Sequence, residues 1–282
     1  ILFEELGLRY IGPIDGHDIK NMVKVFKSIK TMNSPVLLHV HTNKSKMISQ
    51  ETKDAIKYYS LSGNKKTNNA SDKISFSNSL GESLYSLADK YDFECITAAM
   101  GIGTGLKKYA NKYSDRYIDV GIAEEHAVTY AAGLSAANIM PVVAIYSTFM
   151  QRAYDSIIHD IALQNLPAIL CMDRAGLVGN DGPTHHGVFD IGFMLSIPNV
   201  VVTAPKDGNE LFDILSLALS NKLTLSIRYP KLNTNFNKHR TADKIKLGSW
   251  EILKKGKGIC ILTFGSMIES SLNAAKYCQE NN

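Results

Sequence analysis

The chain has 282 residues, 45% hydrophobic and 21% charged, the make-up of an ordinary soluble globular protein with room for two or more domains. Its formal net charge of +4 is mild, and no lysine or arginine block forms a nucleic-acid footprint. No stretch comes near the roughly 18 apolar residues of a membrane-spanning helix. Four cysteines (Cys95, Cys171, Cys260, Cys278) stand far apart, three of them in apolar strand-like or helical runs. That usage fits reduced, packed thiols in an intracellular protein better than disulfides or a zinc site.

Residues 1–41 carry an apolar stretch, then Gly12-Pro-Ile-Asp-Gly-His-Asp18, then Met22, Val23, Val25, Phe26 and Ile29 at helical spacing. Asp18 is a fitting N-cap, and Val36-Leu-Leu-His-Val40 reads as a buried strand. This is the end of an α/β domain. Residues 42–74 turn polar and read as a linker. From about 75 to 230, apolar strands alternate with helices, which predicts a parallel sheet flanked by helices. The expected strands are 95–98, 117–120, 142–146, 168–172, 200–203 and 224–228; the helices between them include 77–90, one from Glu124, 151–163 and 208–219. The small side chains from Ala127 to Leu134 suggest that the helix from Glu124 packs closely on both sides. Residues 231–248 form a second polar linker. Residues 249–282 begin a third unit, with a strand at Gly258–Phe264 and a helix from Ser266. Both ends look like cuts through a longer protein.

Chemistry gathers at the ends of the predicted strands, where open α/β sheets keep their ligands. Tyr117-Ile-Asp-Val120 runs into Gly121, and Glu124 and Glu125 follow at a helix start. An acid there stabilises the helix dipole in any case, and on local grounds that bland role suffices. Gly101-Ile-Gly-Thr-Gly105 follows another strand, but Leu106 stands where a dinucleotide fingerprint needs its third glycine, which leaves a tight turn. The long loop Asp173–Gly187 holds Arg174, Asp181, His185 and His186 on an irregular, glycine-rich backbone, as functional loops do. Adjacent histidines rarely point at one ion, so acid–base work or substrate binding by one of them is the better reading. Tyr146 and Phe149 close a further strand, and an aromatic there serves equally as core or as a platform for a planar ring. Arg174 and Arg228 share one sheet edge; they suit a phosphate or carboxylate as well as surface salt bridges.

Together, Gly12–Asp18, Asp119-Val-Gly-Ile-Ala-Glu-Glu-His-Ala-Val128, Ile145-Tyr-Ser-Thr-Phe149 with Gln151-Arg-Ala-Tyr-Asp155, Asp173-Arg-Ala-Gly176 and Thr184-His-His-Gly187 resemble the 1-deoxy-D-xylulose-5-phosphate synthase family of transketolase-like thiamine diphosphate enzymes. The resemblance implies a thiamine diphosphate-binding fold whose pyrimidine-side domain is 75–230. It implies the condensation of pyruvate with D-glyceraldehyde 3-phosphate, the entry step of the non-mevalonate isoprenoid pathway, which also feeds thiamine biosynthesis. It makes Glu124 the acid that hydrogen-bonds N1′ of the cofactor's aminopyrimidine and Phe149 the ring that stacks on it. Arg152 and the Ile122–Ala123 turn lie beside the cofactor. Tyr146, Arg174 and Arg228 correspond to acceptor-phosphate positions, Asp181 and His185 to positions facing the substrates, and His185 is the expected proton carrier.

The family's Gly-Asp-Gly…Asn segment for diphosphate and Mg2+ is missing from the sequence, so the resemblance predicts metal ligands outside this chain and no cofactor binding or activity by the chain alone. The family's Lys-Gly-x-Gly-Tyr and following Phe-His read here as Lys44-Ser-Lys-Met-Ile48 and Tyr58-Tyr59. Lys44 is retained without the glycines. That departure raises a second reading, a catalytically silent relative acting in assembly or cofactor sensing. A 2-oxoacid dehydrogenase β-subunit is a third, at odds with residues 1–41. A homodimer is expected, in the cytoplasm of a bacterium with an AT-rich genome or, alternatively, in a plastid.

Overall fold

The computed structural model describes residues 2–43, 73–243 and 245–280, which divide into two compact units, Ile1–Asn69 and Ala70–Asn282. In the first, strands β1 (Arg9–Asp15) and β2 (Val36–His41) pair in parallel and helix α1 (Ile19–Ile29) connects them. Asp18 caps this helix as its sequence predicts, accepting a hydrogen bond from the Asn21 amide. His17 accepts one from the Asn43 amide, so the Gly12–Asp18 motif ties the two strand ends together. The polar segment from Lys44 onward, with Lys44, Tyr58 and Tyr59, lies outside the described residues.

The second unit is built on six parallel strands: β4 (Phe93–Thr97), β5 (Tyr117–Asp119), β6 (Met140–Tyr146), β7 (Ile169–Asp173), β8 (Val201–Thr203) and β9 (Leu225–Arg228). Their order across the sheet is β5-β4-β6-β7-β9-β8. Side chains alternate along each strand; in the inner strands both sets are largely buried, while the edge strands β5 and β8 are partly exposed. Cys95, Val142, Ala144, Cys171 and Ile227 pack under α2 (Phe76–Leu87) and α6 (Gly208–Asn221). Ile96, Val143, Ile145, Leu170 and Met172 pack on the other face, under α4 (Glu124–Ala136) and the segment 147–162. A short antiparallel pair, β3 (Ile74–Ser75) with β10 (Asn233–Thr234), joins the segment before the first helix of this sheet to the segment after its last strand.

Several expectations change in three dimensions. Helix α4 buries one face only, through Glu124, Ala127, Val128, Ala131, Ala132 and Ser135; Glu125, His126 and Thr129 are exposed. Small side chains allow close packing without requiring it. The helix expected over 151–163 is broken: an α turn at Ser147–Met150 passes to 3-10 at Gln151–Ala153, one further α turn at Tyr154–Ser156, and a π turn at Ile157–Ala162. Gly258–Phe264 forms no strand, because a strand exists only through pairing and no described strand lies beside it. The helix after it is α7 (Ile268–Glu280). A short helix, α5 (Asp190–Leu195), follows the long loop and was not anticipated. The polar stretch after Tyr229 is latched onto α6, where Arg240 donates twice to the buried Asp213. All four cysteines are free; Cys95 and Cys171 are packed in the core, whereas Cys260 and Cys278 are exposed. Among the described residues no helix is long and apolar enough to cross a membrane.

The turn after β4 is held against α2 by a glycine contact. A Cβ built on Gly81 would stand 2.0 Å from the Gly105 carbonyl oxygen, and both partners are backbone, which cannot yield. Gly81→Ala should therefore lower stability by about 2 kcal/mol, seen as a lower urea midpoint with an unchanged denaturant slope. A change below about 0.5 kcal/mol would mean that the turn moves aside freely.

Candidate active site

Strand β4 has β5 on one side and β6 on the other, so the connections that follow β4 and β6 run in opposite directions across the sheet. The carboxyl ends of β4 and β6 bound the crevice that such a reversal opens. Five of the six strand ends bring polar or aromatic groups to this rim. At the β5 exit, Asp119 Oδ1 accepts from the amides of Ala99 and Gly121, which binds the β4 and β5 loops to each other. Gly121 takes a left-handed φ of +71°, and the chain turns through Ile122 and Ala123 into α4. Glu124 stands in the first turn of that helix, only 3% exposed, while Glu125, one residue further round the helix, faces outward. Among the described residues Glu124 accepts no side-chain hydrogen bond. Its one ion-pair partner there is Arg152, whose Nε lies 3.5 Å from Glu124 Oε2. Arg152 comes from the 3-10 turn where the segment 147–162 departs from α geometry.

The β6 end supplies an aromatic cluster. The rings of Tyr146 and Phe149 are nearly parallel with centroids 6.0 Å apart, and His185 meets Phe149 edge-on at 5.2 Å. His185 Nδ1 is engaged with the Thr184 hydroxyl at 2.9 Å, and Nε2 has no hydrogen-bond partner among the described residues. The two histidines of the loop diverge. His186 Nδ1 accepts from the Val178 amide and holds the loop, which paired amides of Gly176 and Gly187 close at its base.

Arg174 occupies the centre of the rim. Its backbone is left-handed (φ +60°), which folds the chain sharply at the end of β7. The guanidinium carbon sits 3.8 Å from the Tyr146 ring centroid. Nη1 donates to the Gly103 carbonyl and to Asp173 Oδ1, each at 2.9 Å, and Nε lies 3.5 Å from Asp181 Oδ2. A Cβ on Gly103 would fall 1.8 Å from the Tyr146 hydroxyl, so only glycine lets this loop approach. Asp181 is also paired with Lys231, whose ammonium holds its carboxyl below the usual range. Arg228 is the neighbour of Met172 across β7–β9; its Nε donates to Asp190 Oδ2 at 2.8 Å, and Asp190 is buried. Nη2 of Arg174 and Nη1 of Arg228 make no hydrogen bond among the described residues, so each guanidinium keeps one end for a ligand. Tyr146 has its phenol pushed up by burial, an effect that Arg174 partly offsets.

The structure thus brings Tyr146, Phe149, Arg174, Asp181 and His185 together, joins Glu124 to Arg152, and sets Arg228 against Asp190. Lys44 is outside the described residues. Sequence reasoning missed Lys231, which carries no local signal, and Asp173. The mark for Asp173 was there: a charged residue at the end of the otherwise apolar run Ala168–Met172. Among the described residues no group of three or more His, Cys, Asp or Glu side chains is placed to hold a metal ion.

Residues 72–237 match the family model of the transketolase pyrimidine-binding domain, and residues 1–42 match that of 1-deoxy-D-xylulose-5-phosphate synthase. The chain is 44% identical over 281 residues to 1-deoxy-D-xylulose-5-phosphate synthase of Aquifex aeolicus, covering 98% of this chain and 45% of that protein. It is 45% identical over 278 residues to the Dictyoglomus thermophilum protein of the same name, covering 97% and 44%. The chain therefore spans about half the length of these relatives. Among solved structures, a split-gene transketolase described as an inactive beta4 tetramer aligns with TM-score 0.64 and 25% identity over 74% of this chain and 68% of its own. Transketolase from Campylobacter jejuni aligns with TM-score 0.63 and 17% identity over 99% and 55%, a likeness of fold.

Burial pushes the Asp173 carboxyl up from 3.8 to about 6, against the pull of Arg174. The folded state thus holds this proton more tightly than the unfolded chain. The resulting stabilisation is present below the unfolded value and is lost as pH rises through the folded one. The unfolding free energy of the protein relative to Asp173→Asn should fall between about pH 4 and pH 6 and then level off. A difference independent of pH, measured by urea titration across that range, would contradict the assignment.

Proposed function

Because the chain belongs to the transketolase pyrimidine-binding family, we propose that it supplies the pyrimidine side of a thiamine diphosphate site in a 1-deoxy-D-xylulose-5-phosphate synthase. The observation that carries this reading is Glu124: a carboxylate buried at a strand-to-helix corner, with one long ion pair and no hydrogen-bond donor among the described residues. A buried acid in that state needs a donor, and a protonated aminopyrimidine nitrogen provides one. Phe149, already flanked by Tyr146 and His185, offers a flat face for the same ring. The residues fit the group.

Bound there, thiamine diphosphate supplies the acidic thiazolium carbon at which a 2-oxoacid is decarboxylated. Glu124 holds a proton at pyrimidine N1′. Arg152 lies within ion-pair distance of that acid, and Ile122 and Ala123 shape the turn that carries it. Nε2 of His185, the free ring nitrogen, gives or takes a proton at the acceptor's carbonyl oxygen. The free ends of Arg174 and Arg228, with the Tyr146 hydroxyl, grip the phosphate of D-glyceraldehyde 3-phosphate. Asp181 faces the substrates from the loop, oriented by Lys231. Lys44, which lies outside the described residues, keeps the cofactor-binding role that the resemblance gives it. Mg2+ and the diphosphate are held by residues outside this chain, in a homodimer located in the cytoplasm, or in a plastid if the source bears one. Pyruvate is the donor.

The match of residues 1–42 to the synthase model speaks against a 2-oxoacid dehydrogenase β-subunit. The changed stretch Lys44–Tyr59 motivates the one competing reading, a silent relative. Full-length protein containing this chain should release carbon dioxide only when both pyruvate and D-glyceraldehyde 3-phosphate are present. No turnover with the cofactor demonstrably bound would favour the silent relative. Glu124→Gln in that protein should lower kcat by roughly 100-fold or more and slow exchange of the cofactor's C2 proton alike; undiminished exchange would sink the role given to Glu124. The 282-residue chain alone is expected to give no thiamine diphosphate heat by titration calorimetry, and tight binding would contradict a site divided between two domains.

A further inference from the structure

Asp173 is the last residue of β7, paired across the sheet with Tyr146 and fully buried. Its Oδ1 accepts from Arg174 Nη1; no hydrogen bond of good geometry reaches Oδ2, although the hydroxyls of Tyr229 and Ser77 stand close enough to act on the carboxylate. A buried carboxylate with one oxygen unsatisfied costs stability rather than adding it. A polar group kept at such cost serves something other than the fold.

Its one side-chain hydrogen bond of good geometry goes to the guanidinium at the centre of the rim. Three strand ends meet on that group: Gly103 in the turn after β4 offers a neutral carbonyl, Tyr146 at the end of β6 offers a ring face, and Asp173 at the end of β7 offers charge. The other acid nearby, Asp181, stands further off at 3.5 Å and is shared with Lys231. Asp173 is therefore the one wholly buried charge that can fix which edge of the guanidinium turns inward, leaving Nη2 outward.

We propose that Asp173 is a positioning residue that orients Arg174 for the phosphate of the acceptor aldehyde, and so sets selectivity for a phosphorylated over an unphosphorylated acceptor. The inference rests on the synthase reading above. It acts through geometry, since Asp173 is too deep to touch substrate.

The test uses the full-length protein with its cofactor and compares D-glyceraldehyde 3-phosphate with D-glyceraldehyde as acceptor. Asp173→Asn should raise KM for the phosphorylated acceptor by about tenfold, the scale of one lost charge-assisted hydrogen bond. KM for pyruvate, kcat at saturation and KM for D-glyceraldehyde should each stay within about threefold. On an Arg174→Ala background the same change should add nothing, because the residue acts through that arginine. An equal effect on both acceptors, or an additive effect in the double variant, would overturn the proposal. If Asp173→Asn does not fold, Asp173→Ser, smaller and with space for a water, is read the same way; failure of both to fold assigns Asp173 to structure alone and also overturns it. If Arg174→Ala leaves the preference for the phosphorylated acceptor intact, the synthase reading of the rim itself fails. If Arg174→Ala removes that preference while Asp173→Asn leaves it unmoved, this inference alone fails.

Discussion

The parallel pairing of Phe93–Thr97 with Met140–Tyr146 is the constraint from which the rest of the second unit follows. Once β4 has β6 on one side, its direct continuation β5 must lie on the other, and the two connections diverge above the strand ends. Backbone groups in that gap cannot pair with a neighbouring strand, so they turn to side chains. The Ala99 and Gly121 amides find Asp119, and the Gly103 carbonyl finds Arg174. The crevice and the polar groups that line it thus have the same topological origin.

Charge is distributed accordingly. Along the central strands β6 and β7 both faces are buried and mostly apolar, and of the buried carboxylates Glu124, Asp173, Asp190 and Asp213 the first three stand at the rim. Glu124 begins a helix, Asp173 ends a strand, and Asp190 opens the short helix after the long loop. Each has an arginine within ion-pair distance: Arg152, Arg174 and Arg228 respectively. The three pairs differ in how closed they are. Arg228 grips Asp190 at 2.8 Å, Arg174 gives Nη1 to both Asp173 and the Gly103 carbonyl, and Arg152 only approaches Glu124. That gradient runs from a pair satisfied within the fold to one left short of a donor, and the proposed cofactor contact lies at the unsatisfied end.

The loop 173–187 shows how an irregular backbone can still be a rigid one. Its ends are pinned by the Gly176–Gly187 amide pair, and its middle by His186 on Val178. Asp181 is held from outside by Lys231. With so many internal ties, His185 is presented to Phe149 at a set angle rather than carried on a free strap, as the proton-transferring role proposed for it requires.

Much of this could be read in the sequence. Alternating strand and helix periods gave the parallel sheet because a strand covered on both faces must be apolar throughout. Asp18 was legible as a cap because capping is a contact between residues three apart. That Glu124, Tyr146, Phe149, Arg174 and Arg228 share a rim was legible because strand ends in such sheets converge on one edge; roles for them came only from the resemblance. What tertiary structure alone decided were pairings between distant residues: Asp190 with Arg228, Lys231 with Asp181, and the Gly103 carbonyl with Arg174 carry no local trace. The same holds for Gly258–Phe264, whose strand-like composition yields no strand without a partner, and for the helix after Tyr146, where packing under the sheet shifts the hydrogen-bond phase. Local chemistry determines what a segment can become and which groups it carries. The hydrogen bonds and burial that complete it depend on which neighbour the fold sets beside it.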